Sequence, residues 1–271
     1  MVAFAEGVKT YIFYEAVTRR INYGAIMLTE NSTIIITGAS MGIGKALAIG
    51  LAKCGVNLVL NARSQELLEE TSAQCSKTGV QATVVAGDIS QAETVIHCRN
   101  EAEKTGNLMG FIHVASLLYP GPNIWELDED KFTKIFDVNV KASFLLIKHV
   151  VPKLISSGQG FAIFVGSGAA EIAQPGIAAY CSAKAAQEHL VRQLAAETRK
   201  VISFIYRPGI VDTRMQEQAR ESKGGAAKHL HQVFRPWKEN KELLTTEQSA
   251  SALIKILQGD IRVKHGQTVS A

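Results

Sequence analysis

Short β-branched or aromatic runs alternate with longer helical segments from about position 32 to the end of the chain, and this rhythm most constrains the fold. The runs lie at 33–36, 56–60, 82–85, 110–114, 161–165 and 201–205, with a weak final run at 267–270. Between them apolar residues recur at helical spacing, as in 45–53, 66–77 and 179–199. The alternation predicts an α/β fold in which helices cover both faces of a doubly wound parallel sheet.

The rhythm covers only part of the 271 residues. We therefore expect a single domain over residues 31–271, preceded by an N-terminal extension over residues 1–30. The extension carries apolar residues at helical spacing among Glu6, Lys9 and Glu15, which predicts a helix docked on the domain or on a partner subunit.

Composition excludes several classes of protein. With 46% hydrophobic and 20% charged residues the chain is not of the disordered type, and no run approaches the roughly 18 apolar residues of a membrane span. A net charge of +4 is too small to indicate a nucleic-acid-binding protein.

Four widely spaced cysteines predict free thiols and a cytoplasmic location. We expect no membrane partner and no metal, since His229 and His231 have no carboxylate near them.

A glycine-rich turn follows the first long run. Gly38, Gly42 and Gly44 let the backbone approach a phosphate, while the free N–H groups of the helix that starts there favour its charge. This pattern predicts a Rossmann-like dinucleotide site. The next strand ends at Arg63 without a carboxylate, which favours the 2′-phosphate of NADP over NAD; the alternative is a solvated arginine at the start of a helix.

Tyr180 and Lys184 are four residues apart in a helical segment, so they share one face. A nearby ammonium favours the phenolate, and we expect it to lower the tyrosine pKa toward neutrality. Ser167, at the end of the fifth strand, is placed to hydrogen-bond a carbonyl oxygen. A Tyr and a Lys at this spacing are common by chance, and only the combination with Ser167 and the glycine turn predicts an active site.

From about Thr33 onward the sequence resembles the short-chain dehydrogenase/reductase family. The resemblance makes Asn139, Ser167, Tyr180 and Lys184 a catalytic tetrad. It implies that Tyr180 gives a proton to the carbonyl oxygen, that Ser167 orients this oxygen, and that Lys184 binds the nicotinamide ribose. Asn139 would support a water that relays protons to Lys184.

The resemblance also implies which residues bind the cofactor. Asp88 would contact the adenine, and the loop that begins at Pro208 would hold the nicotinamide end. The full predicted set is Gly38, Ser40, Met41, Gly42, Ile43, Gly44, Arg63, Asp88, Ile89, Ala115, Tyr180, Lys184, Pro208, Gly209, Val211 and Thr213.

Two departures from the family pattern stand out. His113-Val114-Ala115-Ser116 replaces the usual NNAG sequence, a segment that mainly packs behind the cofactor. We expect His113 to be a satisfied core residue rather than a proton-transfer group. Met41 stands where many NADP-dependent members have a basic residue, which leaves Arg63, with Ser40, to support NADP.

Residues 206–221 resemble the sepiapterin reductase and benzil reductase branch of the family. The sequence therefore predicts an NADPH-dependent oxidoreductase that reduces a small carbonyl compound, namely a ketone, an aldehyde or a 1,2-diketone. The chain end lacks the aspartate that anchors pterins, which argues against a pterin substrate.

The alternatives are a nonenzymatic NADP(H)-binding regulatory protein and an alcohol dehydrogenase working in the oxidative direction. Members of the family commonly form homodimers or homotetramers, and we expect the same of this chain. Residues from Met215 to about Trp237 would form a lid over the substrate.

Overall fold

We analysed a computed structural model of the chain. The structure describes residues 23–24, 28 and 31–271. The helix expected within residues 1–30 falls outside these residues. From the extension, the described strand β1 (Tyr23–Gly24) pairs antiparallel with β8 (Val263–Lys264) near the C-terminus.

The elements follow one another as the sequence rhythm predicts. The remaining strands are β2 (Thr33–Thr37), β3 (Asn57–Ala62), β4 (Ala82–Ala86), β5 (Leu108–His113), β6 (Phe161–Val165), β7 (Ile202–Arg207) and β9 (Thr268–Ser270). The helices are α1 (Gly42–Lys53), α2 (Gln65–Ser76), α3 (Ala92–Lys104), α4 (Glu129–Phe136), α5 (Ala142–Ser156), α6 (Ala178–Glu197), α7 (Arg214–Arg220), α8 (Ala227–Glu239) and α9 (Thr246–Leu257).

Within the described part of the chain, seven strands form one parallel sheet in the order β4-β3-β2-β5-β6-β7-β9. The chain runs outward from β2 to β4 and then returns to place β5 on the other side of β2. This reversal opens a crevice at the carboxyl ends of β2 and β5, where ligands bind in sheets of this type. The predicted fold class is thereby confirmed.

Helices cover both faces of the sheet because neighbouring strand residues point to opposite sides. Ile34 and Ile36 pack with residues of α1 and α9, whereas Ile35 packs with residues of α3, α5 and α6. All three isoleucines are fully buried. Two apolar layers with a sheet between them explain why the strands read as continuous hydrophobic runs.

The region in which the sequence rhythm weakens, residues 212–244, contains two helices. In α8, Leu230 is buried, while basic residues lie on exposed positions and Pro236 lies within the helix. The polar residues and the proline hide the helical period of the sequence. In the described part of the chain no helix has both the length and the apolar character that crossing a membrane requires.

Candidate active site

The glycine turn between β2 and α1 leaves room for a phosphate. Gly38 and Gly42 have φ values of +67° and +56°, which side chains rarely tolerate. A Cβ on Gly38 would lie 2.8 Å from the Ala115 nitrogen, and one on Gly44 would overlap the Gly38 carbonyl. No side chain caps the first turn of α1, and no acidic residue lies in it. The turn therefore fits the pyrophosphate of a dinucleotide.

The wall behind this turn is built on Thr37. Its Oγ1 accepts hydrogen bonds from the backbone nitrogens of Val114 and Ala115, both at 3.1 Å, and lies 2.8 Å from His113 Nδ1. Because these two contacts use both lone pairs of Thr37 Oγ1, the threonine hydroxyl donates its own proton to His113 Nδ1. Burial, together with the Lys184 charge, lowers the pKa of His113 to about 3, so the ring is neutral. His113 is thus a buried core residue that is hydrogen-bonded at Nδ1, whereas its buried Nε2 has no hydrogen-bond partner among the described residues, so the expectation of a satisfied core residue holds for one ring nitrogen only.

The adenosine side of the crevice lies at the ends of β3 and β4, which are paired neighbours. Arg63 follows β3; its side chain is exposed and makes no hydrogen bond or ion pair with the described residues. Asp88 follows β4, where its carboxylate accepts hydrogen bonds from the nitrogen and hydroxyl of Ser90 at 2.9 and 2.8 Å. The adjacent Ile89 is buried. A free guanidinium and a fixed carboxylate thus flank one edge of the crevice.

The loop after β7 lies across from the glycine turn. Gly209 has a φ of +77°, and Val211 is buried and pairs with Leu244. A Cβ on Gly42 would lie 3.8 Å from Thr213 Cγ2, so this loop and the glycine turn are neighbours. The residues predicted for the two ends of the cofactor are therefore brought to one crevice.

Asn139 lies on a π-helical turn, Asp137–Lys141, between α4 and α5. It is fully buried, and its amide nitrogen donates to the Leu117 and Ile135 carbonyls at 3.1 and 2.9 Å. Its Oδ1 lies 2.6 Å from Ser116 Oγ, which must be the donor because an amide oxygen only accepts. Both donors and the oxygen of the Asn139 amide thus have partners within the protein.

Tyr180 lies in the first turn of α6 and is buried. Burial raises the pKa of Tyr180, and hydrogen bonds with the hydroxyls of Ser167 and Ser116 offset part of the rise. The sequence-based expectation that Lys184 lowers this pKa is wrong for the protein by itself. The Lys184 ammonium lies 5.7 Å from the centre of the tyrosine ring and directs hydrogen bonds elsewhere.

Lys184 is 1% exposed on the same helix face as Tyr180. Burial lowers the pKa of its amine to about 7, against the opposing attraction of Glu188. Its Nζ donates to the Val165 carbonyl and to Gln187 Oε1, both at 2.9 Å. An ammonium has three donors, so one remains for a ligand in the crevice.

A buried ion pair lies beneath these residues. Glu188 is 1% exposed, and its two oxygens accept from Arg207 Nε and Nη2 at 3.0 and 2.8 Å. The Ser167 nitrogen also donates to Glu188, at 3.4 Å. The pair joins α6 to the ends of β6 and β7, which fixes the backbone that carries Ser167.

An apolar wall adjoins Tyr180. Leu118, Ile177 and Leu230 are buried against it, with Met215 and Phe234 partly buried on the same cluster. The last three of these residues belong to α7 and α8, the predicted lid. A substrate beside Tyr180 would therefore meet hydrocarbon rather than charge.

The structure brings the four predicted tetrad residues to one place, but it adds contributors that the sequence reasoning missed. The sequence pattern gives Ser116 a packing role and gives no role to Gln187 or Glu188. Only the replacement of NNAG by a serine-ending segment gave a signal, at Ser116. Among the described residues, no group of three or more His, Cys, Asp or Glu side chains is placed to hold a metal ion.

Comparisons with known proteins agree with this architecture. Residues 32–224 match the family model described as short chain dehydrogenase. An uncharacterized oxidoreductase of Saccharomyces cerevisiae is 32% identical over 228 residues, which cover 82% of this chain and 88% of the yeast protein. An NADPH-dependent pterin aldehyde reductase of Arabidopsis thaliana is 29% identical over 184 residues, 68% of this chain and 76% of that protein.

The fold is also similar to solved structures. An alcohol dehydrogenase from the archaeon Thermococcus sibiricus, complexed with 5-hydroxy-NADP, has a TM-score of 0.74 and 29% identity, covering 89% of this chain and 95% of that one. Together with the glycine turn and the Tyr180–Lys184 site, these matches show that the chain belongs to the short-chain dehydrogenase/reductase family of nicotinamide-dependent oxidoreductases.

Proposed function

We propose that the protein is an NADPH-dependent reductase of small carbonyl compounds, either ketones, aldehydes or 1,2-diketones. The observation that carries the proposal is the buried Tyr180 phenol, which lies next to the hydroxyls of Ser167 and Ser116 and whose ring centre is 5.7 Å from the Lys184 ammonium. This cluster adjoins the crevice at the glycine turn, so a proton donor and a dinucleotide site open on the same space.

Each side chain has a distinct task in this reaction. A nicotinamide held between the glycine turn and the loop after β7 would supply the hydride for the carbonyl carbon. Tyr180 donates its phenolic proton to the carbonyl oxygen, and the Ser167 hydroxyl orients that oxygen. The Lys184 ammonium has one donor left, and this donor would hold the nicotinamide ribose. Asn139 holds Ser116 against Tyr180, so it acts through a neighbouring hydroxyl.

The buried Tyr180 phenol is suited to act as a proton donor. Because burial raises its pKa, the phenol keeps its proton at neutral pH. A proton donor is what carbonyl reduction requires, whereas alcohol oxidation requires the phenolate as a base. An alcohol dehydrogenase running in the oxidative direction would therefore need a more alkaline pH.

Arg63 supports NADPH as the cofactor. Its guanidinium is exposed and unpaired among the described residues, at the strand end where the ribose 2′-phosphate lies in this fold. The Arabidopsis relative is described as NADPH-dependent, and the archaeal structure holds an NADP derivative.

We expect Arg63→Ala to lower kcat/KM for NADPH roughly tenfold or more while sparing NADH. Equal losses with both cofactors would contradict this assignment.

The apolar wall supports a substrate that carries a hydrocarbon or aromatic group beside its carbonyl. Ile177, Met215 and Phe234 contribute no charge to the space next to Tyr180. A pterin aldehyde enters the test because of the Arabidopsis relative. We propose in addition a homodimer or homotetramer and a cytoplasmic location, both of which stay predictions from the sequence.

The proposal is tested by following NADPH oxidation in absorbance with 1,2-diketones, quinones, aliphatic and aromatic aldehydes, ketosteroids and a pterin aldehyde. Parallel assays with NADH measure the cofactor preference. We expect turnover with at least one apolar carbonyl compound and a preference for NADPH. Tight NADPH binding without reduction of any member would instead favour the nonenzymatic regulatory alternative.

A further inference from the structure

Lys184 is connected to Asn139 by two buried side chains outside the tetrad. Gln187 Oε1 accepts from Lys184 Nζ at 2.9 Å, and Gln187 Nε2 donates to Ser143 Oγ at 3.0 Å. Ser143 Oγ in turn donates to the Asn139 carbonyl at 2.8 Å. Gln187 and Ser143 are fully buried, so the link lies away from solvent.

We infer that Gln187, supported by Ser143, is a positioning residue that fixes the Lys184 ammonium through a protein link to the Asn139 backbone. The family resemblance assigns this connection to a water. Here a carboxamide joins the two residues, with its acceptor toward Lys184 and its donor toward Ser143. The inference rests on the proposed reductase function and deepens it.

The hydrogen-bond inventory of the link supports this role. The Gln187 oxygen can accept only, so the lysine must be the donor in that contact. The Ser143 hydroxyl donates its single proton to the Asn139 carbonyl. Its oxygen therefore accepts the hydrogen bond from Gln187 Nε2. When Lys184 is charged, each group in the link therefore has a fixed role as hydrogen-bond donor or acceptor, and the network has one arrangement of its protons.

The arrangement stabilises the charged form of the lysine. An acceptor held against a buried ammonium offsets part of the cost of burying its charge. A carboxamide does not pass protons readily between its nitrogen and its oxygen, so Gln187 holds Lys184 rather than supplying it with protons. Without this acceptor, the charge that faces Tyr180 and the cofactor ribose would be lost at a lower pH.

The ionisable groups that face Lys184 do not prevent Gln187 from influencing the pKa of Lys184. His113 on β5 is neutral, because burial lowers its pKa to about 3. Glu188, one turn further along α6, attracts the ammonium but is itself paired with Arg207 of β7 and with Arg192. Tyr180 is held in its protonated form by burial. The π-helical turn and α5 present the neutral Asn139 and Ser143 to this link.

Titration of the full chain without cofactor tests the inference directly. The protein is labelled with [13Cε]lysine, the NMR signal of Lys184 is assigned by its loss in Lys184→Met, and its chemical shift is followed against pH. We expect Gln187→Met, which keeps the volume but removes the acceptor, to move the Lys184 midpoint about one pH unit below the wild-type value. Gln193→Met, an exposed glutamine on the same helix, serves as the control and leaves it unchanged.

A second variant keeps the test decisive if Gln187→Met does not fold. Gln187→Glu retains the length of the side chain and brings a negative charge to the ammonium, so the Lys184 midpoint moves to higher pH. A wild-type midpoint in both variants, or in Gln187→Glu if it alone folds, would overturn the inference.

Steady-state kinetics give the functional readout. The alkaline limb of the kcat/KM profile for carbonyl reduction is expected to shift in the same direction as the Lys184 midpoint in each variant. Wild-type turnover tests the proposed function separately. If the wild type reduces carbonyls and Gln187→Met keeps its pH profile, only the role of Gln187 fails. If the wild type has no activity, the NMR titration still decides the inference.

Discussion

The proposed catalytic cluster and the predicted lid are both held in part by polar contacts, but these contacts differ in burial. Around Tyr180 and Lys184 the network is closed: Glu188 and Gln187 are at most 1% exposed. The lid helices α7 and α8 are instead tied to Asp212, whose side chain is 40% exposed, by Lys238 at 2.5 Å and Arg220 at 3.7 Å. Buried polar networks lose much when one member is removed, whereas exposed ion pairs contribute little. The polar contacts around Tyr180 and Lys184 are therefore buried, whereas those that hold α7 and α8 are partly solvated.

The largest expected effect comes from breaking the buried ion pair. Glu188→Gln removes the charge opposite Arg207, whose remaining carboxylate partner among the described residues is the exposed Glu171. We expect the free energy of unfolding to fall by about 3 kcal/mol, measured by urea denaturation. Glu197→Gln, an exposed glutamate at the end of the same helix, is the control. Equal stabilities of the two variants would remove the distinction between the two regions.

A smaller effect is expected at Ser116, whose hydroxyl links Asn139 to Tyr180. Ser116→Ala leaves the Asn139 oxygen without its donor and removes one hydrogen bond from the phenol. We expect kcat to fall about tenfold with little change in the binding of NADPH. Ser156→Ala, at the exposed end of α5, should keep wild-type kcat. An unchanged kcat in Ser116→Ala would show that Ser167 alone serves Tyr180.

The smallest effect is expected at the lid. Asp212→Asn weakens the contacts to Lys238 and Arg220, yet these groups are partly solvated. We expect a stability change below about 1 kcal/mol and a change confined to KM and its dependence on salt. A loss of stability as large as that of Glu188→Gln would mean that the lid is as tightly built as the catalytic cluster.

The same contrast explains what the sequence could predict. The run at 161–165 became β6 (Phe161–Val165) because aromatic and β-branched residues dominate it. Tyr180 and Lys184 were found because a helix brings residues four apart onto one face. The glycine turn was found because a close backbone approach requires glycine at fixed positions. All of these features are local in sequence.

The missed features depend on tertiary contacts. Gln187 meets Ser143 across 44 residues, and Glu188 meets Arg207 from another element. No periodicity signals such pairs. The expected effect of Lys184 on the Tyr180 pKa was wrong for a related reason, since the sequence gives the spacing of the two residues but not their burial. In the lid, solvated side chains conceal the helical period of α8.

The central claim is that Tyr180 protonates a carbonyl substrate in an NADPH-dependent reduction. The most direct test compares NADPH oxidation by the wild type and Tyr180→Phe with the best carbonyl substrate, while NADPH fluorescence measures cofactor binding. The account predicts that Tyr180→Phe loses turnover by about a thousandfold or more and retains NADPH binding. A phenylalanine variant with turnover within about tenfold of the wild type would contradict it.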